Sequence, residues 1–369
     1  MYPLISGLIL STLFGCSVTP RPPAQRVHII PYGVSDWYVG WSRITTAFID
    51  GVAVNTRQAL TLSGERPHSI TYDGKTLSIP KRSAAPCQNT RFAVLGDGRA
   101  SVDGLGPSAY WPGLLREVIK EGPDLILNSG DLVKNGRAER EWDAFLSQTP
   151  EQPPMVVVRG NHDRGVAFDH LQLAPDFVFW FRVGPALVIG VDSEITLEAL
   201  PETLQEVDRI LSEQSAAWRI LLMHRPIWSR GNHGSNERGW NDRWVPLIDQ
   251  HEVDLVIAGH DHNYERFCRQ TGLGSQRKCT PGKGTVYVVS GGAATFTNPV
   301  PGIARGVPSV TKIADAAMSK RYSGSHHYVI LDISPSTLSL RAQRSRTGNL
   351  RPPGLIDELT LTKESALCR

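Results

Sequence analysis

Five short apolar runs in this chain end in polar clusters made of residues that bind metals or move protons. The clusters are Gly96-Asp97, Gly130-Asp131, Gly160-Asn161-His162-Asp163, His224 after Met223, and Gly259-His260-Asp261-His262. One such end is an ordinary turn or a helix cap, and Asp97 alone would mean little. Caps do not explain a series that supplies Asp, Asp, Asn, His, His and His. Carboxylate, imidazole and amide oxygen together suit borderline or harder divalent ions such as Zn, Mn or Fe. Two aspartates, one asparagine and three histidines are enough for two ions that share a carboxylate. A glycine ahead of the polar residue lets the backbone turn sharply there.

The elements that must position these residues show in the hydrophobic rhythm. Apolar runs at 91–95, 124–128 and 155–158 read as strands that lead into the first three clusters. Between them, residues 109–120 place Trp111, Leu114, Leu115, Val118 and Ile119 at helical spacing, and 139–146 also reads as a helix. Further strands are expected at 177–181, 187–191, 220–223, 255–258, 286–289, 328–333 and 337–341. Helices are expected at 201–213, with Pro201 in its first turn, and at 244–250. Ligand sites in α/β proteins collect at the carboxyl ends of strands, which is where the clusters fall. Alternation first and strand-heavy sequence later predict an α/β (α+β) sandwich with mixed sheets. Ahead of it, residues 27–80 are rich in Thr, Val, Tyr and Trp and punctuated by Asp50-Gly51, Ser63-Gly64 and Asp73-Gly74, which predicts a small β module. A polar linker at 81–90 and a long loop with a short helix at 296–325 complete the expectation. Trp111, Trp180, Trp228, Trp240 and Trp244 belong either to the core or to a cleft, core being the reading for those on helices. Trp228, Trp240 and the glycine-rich stretch 231–239 are placed to shape a substrate mouth.

In order and spacing, the G-D, G-D, G-N-H-D, H and G-H-x-H clusters from Asp97 to His262 resemble the calcineurin-like metallophosphoesterases. The string GHDHNYER at 259–266 is similar to the purple acid phosphatase form of the last motif. The resemblance implies a four-layer α/β/β/α sandwich over 91–369, with one or two divalent ions per chain (Fe, Zn or Mn). It implies that Asp131 bridges two metal positions, that Asn161, His224 and His260 complete the second, and that Asp97 and His262 serve the first. His162 would be the general acid at the leaving oxygen, working as imidazolium with Asp163 orienting it. His233 falls where purple acid phosphatases place a substrate-contacting histidine; an exposed loop histidine is the other reading.

Two residues depart from the pattern. Most of the superfamily has a histidine two residues after the first aspartate, where this chain has Arg99. Purple acid phosphatases supply a metal-bound tyrosine where this chain has Lys134, so the protein is expected to lack the purple colour. Arg99 either binds the substrate phosphate as a planar fork or marks a weakened first metal position. The function expected is phosphomonoester hydrolysis on a small phosphorylated molecule. A phosphodiesterase or nucleotide hydrolase would use the same site, and Arg99 with Lys134 would also suit a non-catalytic binder of phosphorylated ligands.

Composition narrows the partners only slightly. The chain has 369 residues, 40% hydrophobic and 20% charged, with a formal charge of +3 from 39 bases and 36 acids. That balance argues for neither nucleic acid nor an acidic membrane surface, and oligomeric state is left open. The apolar run at 4–14 is too short for a spanning helix, which needs ~20 residues. It ends in Leu13-Phe14-Gly15-Cys16, which resembles a bacterial lipobox, although Phe14 is bulky and no Lys or Arg precedes the run. The expectation is a lipoprotein signal at 1–15, lipidation at Cys16, a tether at 16–26, and an exported protein held at a membrane by its lipid. A plain secretory signal is the alternative. Of five cysteines, those other than Cys16 are expected to pair as Cys268 with Cys279, across a polar loop, and Cys87 with Cys368.

Overall fold

Side-chain period sorts the strands of this protein into layers. Seven short ones come first: β1 (Arg26–Tyr32), β2 (Asp36–Ser42), β3 (Ala47–Ile49), β4 (Val52–Val54), β5 (Leu60–Leu62), β6 (His68–Tyr72) and β7 (Lys75–Ile79). They pair as two sheets, β1-β2-β5 and β4-β3-β6-β7, around Val27, Trp37, Val39, Trp41, Ile70 and Tyr72. The computed structural model describes residues 25–82, 85–100, 106–151, 153–293, 296–297 and 315–364. The expected leader at 1–15, Cys16 and Cys368 lie outside the described residues.

Next come β8 (Thr90–Leu95), α1 (Trp111–Lys120), β9 (Leu125–Asn128), α2 (Glu139–Gln148), β10 (Met155–Val157) and α3 (Ala167–His170). They are followed by β11 (Val178–Val183), β12 (Ala186–Val191), α4 (Leu200–Glu213), β13 (Trp218–Leu222), α5 (Asn241–Gln250) and β14 (Leu255–Ala258). The chain then runs through β15 (Tyr264–Phe267), β16 (Gln270–Thr271), β17 (Lys278–Cys279), β18 (Val286–Ser290), β19 (Ser319–Ser323), β20 (His327–Ile333), β21 (Thr337–Arg344) and β22 (Gly354–Thr362). Two large mixed sheets result, ordered β10-β9-β8-β20-β21-β22 and β11-β12-β13-β14-β18-β15-β19.

The alternation in β8 shows how the layers are built. Phe92 and Val94 face a core shared with Val188, Ile220, Leu222, Ile257 and Val288 of the second sheet. Ala93 and Leu95 face the opposite way, against Trp111, Leu114, Val118 and Trp142 of α1 and α2. The second sheet does the same with α4 and α5, through Ile189, Leu221, Val207, Ile210, Trp244 and Ile248. Helix, sheet, sheet and helix therefore stack in that order, as expected of the α/β/β/α class. Two of these helices start where a proline is tolerated: Pro112 opens α1 and Pro201 opens α4. The small β module is not isolated from this stack. Ile30 and Tyr38 enter the core between the large sheets, and Gly33 exchanges backbone bonds with Trp180 (3.0 Å) and Arg182 (2.9 Å) of the outermost strand β11.

Several expectations need correction. Within the expected loop at 296–325, Ser319–Ser323 is a strand paired with β15. Its polar sequence hides it, because the pairing partner and not its own side chains hold it. β22 likewise has few buried positions and is held by β21. Trp228 does not line a mouth: it is 8% exposed and packs against Tyr287 and the Arg277 guanidinium, 3.6 Å from its ring. Cys268 and Cys279 form a disulfide, and Cys87 is also disulfide-bonded.

Candidate metal centre

The parallel strands β8, β9 and β10 deliver Asp97, Asp131 and Asn161-His162 from one sheet. Parallel β13 and β14 deliver His224, His260 and His262 from the other. All these strands end at the same side of the sandwich, so the clusters meet across the seam between the sheets. Asp97, Asp131 and His260 take positive φ (59°, 54° and 67°), a conformation uncommon for non-glycine residues, although Asp and His adopt it more readily than most. Of the glycines beside them, Gly130 takes a positive φ of 96° and supplies the turn, whereas Gly160 and Gly259 make room. A Cβ on Gly160 would stand 2.2 Å from Asp131 Oδ1, and one on Gly259 would stand 2.4 Å from Asp97 Oδ2.

At the heart of the site, lone pairs converge with no proton between them. His224 Nδ1 lies 2.8 Å from the Ser129 carbonyl. A carbonyl can only accept, so Nδ1 carries a hydrogen and Nε2 is the nitrogen left to offer a lone pair to a metal. His260 Nε2 lies 2.6 Å from Glu237 Oε2, so in that ring Nδ1 is the bare nitrogen. His260 Nδ1 and His224 Nε2 stand 3.2 Å apart. Asn161 Oδ1 is 3.1 Å and Asp131 Oδ1 is 3.5 Å from the same His224 Nε2. Donors bound to one transition metal at ~2.1 Å stand roughly 3.0–3.4 Å from each other. Asp131, Asn161, His224 and His260 therefore fit a single divalent ion, with Ser129 and Glu237 holding the two rings as outer partners do in metal sites. Asp97, Asp131 and His224 also bring one donor atom each within 4.8 Å of one another.

Electrostatics agree with a place prepared for a cation. Burial pushes His260 down to about 3, with His224, His233 and Arg225 adding to it and Glu237 opposing. Burial and then Arg99 push His262 down to about 3. Asp97 is fully buried; burial and its neighbour Asp131 raise it well above the usual carboxylate range. Asp131 is buried as well, yet His224, His162 and Arg99 outweigh that and hold it at about 2. Asp97 Oδ1 has no hydrogen-bond partner.

The first metal position looks different. His262 Nδ1 faces the Phe296 carbonyl at 3.2 Å, leaving Nε2 bare and 3.6 Å from Asp97 Oδ1. Arg99 fills the space between them: Nε donates to Asp131 Oδ2 at 3.2 Å and a terminal nitrogen lies 3.4 Å from His262 Nε2.

His162 stands beside the centre, half-buried. Its backbone N–H donates to Asp131 Oδ1 at 2.8 Å and its Nδ1 meets the Lys134 carbonyl at 2.7 Å, which leaves Nε2 for a leaving oxygen. Burial lowers its pKa, with Arg99 and His224 adding to that and Asp131 opposing. Asp163 does not orient it, contrary to expectation. The Asp163 carboxylate accepts instead from the backbone N–H groups of Asp131, Gly160, Leu132 and Val133 at 2.9–3.2 Å. It clasps the loops that carry the ligands. His233 does reach the site: its ring lies 3.8 Å from that of His260, and Nδ1 is 3.2 Å from Glu237 Oε1.

Glu237, Arg225 and Glu194 escaped the sequence reading. Glu237 joins His260 to His233, and contacts with both rings and Arg225 hold its carboxyl well below the usual range despite burial. Arg225 touches Glu237 and grips Glu194 at 2.6 and 3.1 Å. The spacing of His233 and Glu237 by four residues was the only local signal. Asp261, named only as part of a motif, accepts the His233 N–H at 2.8 Å and so fixes the loop that brings His233 in.

Comparison with known proteins adds the family context. The family model for the calcineurin-like phosphoesterase domain matches residues 90–264. An uncharacterized protein of Mycobacterium tuberculosis is 31% identical, over 82% of this chain and 74% of that one. Probable inactive purple acid phosphatase 24 of Arabidopsis thaliana is 25% identical, over 71% of this chain and 51% of that one. Among solved structures, a purple acid phosphatase from yellow lupin (Lupinus luteus) seeds has a TM-score of 0.70 at 19% identity, covering 94% of this chain and 75% of that one.

Proposed function

Because the chain belongs to the calcineurin-like phosphoesterases and shares the purple acid phosphatase fold, we propose that it hydrolyses phosphate monoesters of small molecules at the Asp131–Asn161–His224–His260 centre. One observation carries this reading: His260 Nδ1, Asn161 Oδ1 and Asp131 Oδ1, from two sheets, stand 3.1–3.5 Å from Nε2 of His224, close to the spacing of donors on one ion. A divalent ion held there (Fe, Zn or Mn) supplies positive charge to the phosphoryl oxygens and acidifies a water at neutral pH.

The chain's own groups do the rest. Asp131 is ionised and its Oδ1 also accepts from the His162 amide, which fixes His162 relative to the centre. His162, anchored through Nδ1 to the Lys134 carbonyl, presents Nε2 to the departing alkoxide; Nε2 carries a proton to give only in the imidazolium form, and the lowered pKa moves that form toward acid pH. His233 stands at the mouth beside His260 to contact the substrate phosphate, and Glu237 orients both rings. Arg99 adds fixed positive charge on the opposite side.

The test is hydrolysis of a chromogenic phosphate monoester by purified protein reconstituted with Fe, Zn or Mn. His260→Ala and Asn161→Ala should abolish turnover and metal uptake with the fold retained. Full activity in either variant would end the proposal. Arg99 and the relatives called inactive favour a second reading, a phospho-ligand binder without turnover. Saturable binding of a phosphate ester with no product from any metal form would select it. We also propose export and membrane attachment through lipidated Cys16, which rests on the apolar run at 4–14 and the Gly15-Cys16 pair. Loss of detergent-phase partitioning in Cys16→Ser checks it; unchanged partitioning would exclude the lipid.

A further inference from the structure

We propose that the Arg99 guanidinium is a built-in substitute for the first metal ion, so that the working centre holds one exchangeable cation and one covalent cation. The inference rests on the metal-dependent reading above and narrows it. The donors that would serve a first ion are Asp97, Asp131 and His262. Arg99 takes the lone pairs of two of them: its Nε–H donates to Asp131 Oδ2 at 3.2 Å, and a terminal N–H group lies 3.4 Å from the bare Nε2 of His262. The backbone pins the residue in register, because the Arg99 N–H donates to the Asp131 carbonyl at 3.0 Å. The side chain is only 13% exposed, and its Cζ lies 5.8 Å from the Phe296 ring. This is a packed arrangement, not a long side chain that happened to fold inward.

What Arg99 leaves of the first position is Asp97, whose buried Oδ1 has no hydrogen-bond partner and faces His262 Nε2 at 3.6 Å; the other members of its donor group, Asp131 and His224, belong to the second centre. A single carboxylate oxygen does not make a site for a divalent ion, which takes four or more ligands. The usual fourth ligands are also gone, since Arg99 and Lys134 stand in their places. Any ion entering would lie against the positive charge of the guanidinium. Attraction from Asp97 and Asp131 is already partly spent on that guanidinium.

The replacement changes what the first position can do. A metal there accepts lone pairs from a phosphoryl oxygen, whereas a guanidinium donates hydrogen bonds to it in a fixed planar fork. Arg99 bears five N–H donors. Those not directed at Asp131, His262 or the Ala100 carbonyl at 3.5 Å are the ones to hold the substrate. Phosphate binding and displacement of the first metal are thus two aspects of one arrangement, and the centre carries one positive charge fewer than a two-metal site.

The experiment counts metal. The full chain is loaded separately with Mn(II), Zn(II) and Fe(II), freed of unbound ion, and analysed by inductively coupled plasma mass spectrometry. Mn-loaded samples are also examined by electron paramagnetic resonance. Wild type should saturate at one ion per chain with the spectrum of isolated Mn(II). Arg99→His and Arg99→Ala, each checked for native melting, should bind a second ion, and Arg99→His should show spin-coupled Mn(II). Two ions in wild type would overturn the inference while leaving the metal-dependent reading intact. So would a count of one in both folded variants. No ion in wild type with any metal would overturn the metal-dependent reading itself, and this inference with it. If neither variant folds, the wild-type count alone decides.

Discussion

His162 is the residue whose chemistry is easiest to separate from the metal's. It holds no ligand lone pair against the centre; it is tied to it only through its own backbone and the Lys134 carbonyl. A proton donor matters in proportion to the basicity of the oxygen it serves. His162→Ala should therefore slow an alkyl phosphate by roughly 100-fold or more, and an aryl phosphate with a good leaving group far less. Steady-state rates on the two ester classes check this. Equal losses on both would remove His162 from the general-acid role. Metal content should be unchanged, which distinguishes the variant from any ligand substitution.

At the scale of elements, the ligand-bearing loops are held by one buried carboxylate. Asp163 receives four backbone N–H groups from the segments after β9 and β10. In Asp163→Asn one oxygen becomes an N–H₂ group that faces two of those donors. Leaving two buried donors unmatched should cost roughly 2–5 kcal/mol, read as a lower urea midpoint, with weaker metal binding alongside. A stability equal to wild type would mean that the clasp is not what holds the loops. This residue also shows where reading the sequence stops. The five strand ends were legible because each is local: an apolar run, a glycine, a polar side chain. That Asp163 points back to Asp131 and Leu132, and not to its neighbour His162, depends on how two parallel strands sit in register. So does the meeting of Arg99 with His262, 163 residues further along the chain. β19 and β22 were missed for a related reason, because their partners supply the pattern that their own side chains lack. The glycines were read in purpose only in part: Gly130 does make a turn, but Gly160 and Gly259 leave space for Asp131 and Asp97, a fact about neighbours and not about turns.

Across the whole molecule, Glu265 ties three segments together. Its oxygens accept from the Arg230 N–H at 2.8 Å and the Ser319 hydroxyl at 2.6 Å, which joins β15 to β19 and to the loop carrying His233. Burial pushes it up to about 7, against those two hydrogen bonds and the Arg230 charge. The folded protein therefore keeps this proton to a higher pH than the unfolded chain does, and its contribution to stability falls as pH rises from about 4.5 to 7. Buried histidines such as His327, pushed down to about 4 by burial, act in the opposite direction below about 6.5. The informative quantity is therefore a difference. Glu265→Gln should gain stability relative to wild type between pH 5 and pH 8, measured by urea unfolding; parallel curves would show that Glu265 is not the source. The contact of Gly33 with Trp180 and Arg182 reaches beyond the fold of a single molecule. An outermost strand with bare amides and carbonyls is a template on which a second chain can add. Gly33 occupies part of that template on β11, which closes those backbone groups to a second chain. Proteolysis that strips the module should bare that edge and the core face that Ile30 and Tyr38 cover, read as a rise in light scattering; scattering equal to that of the uncut chain would show that the module does not guard it.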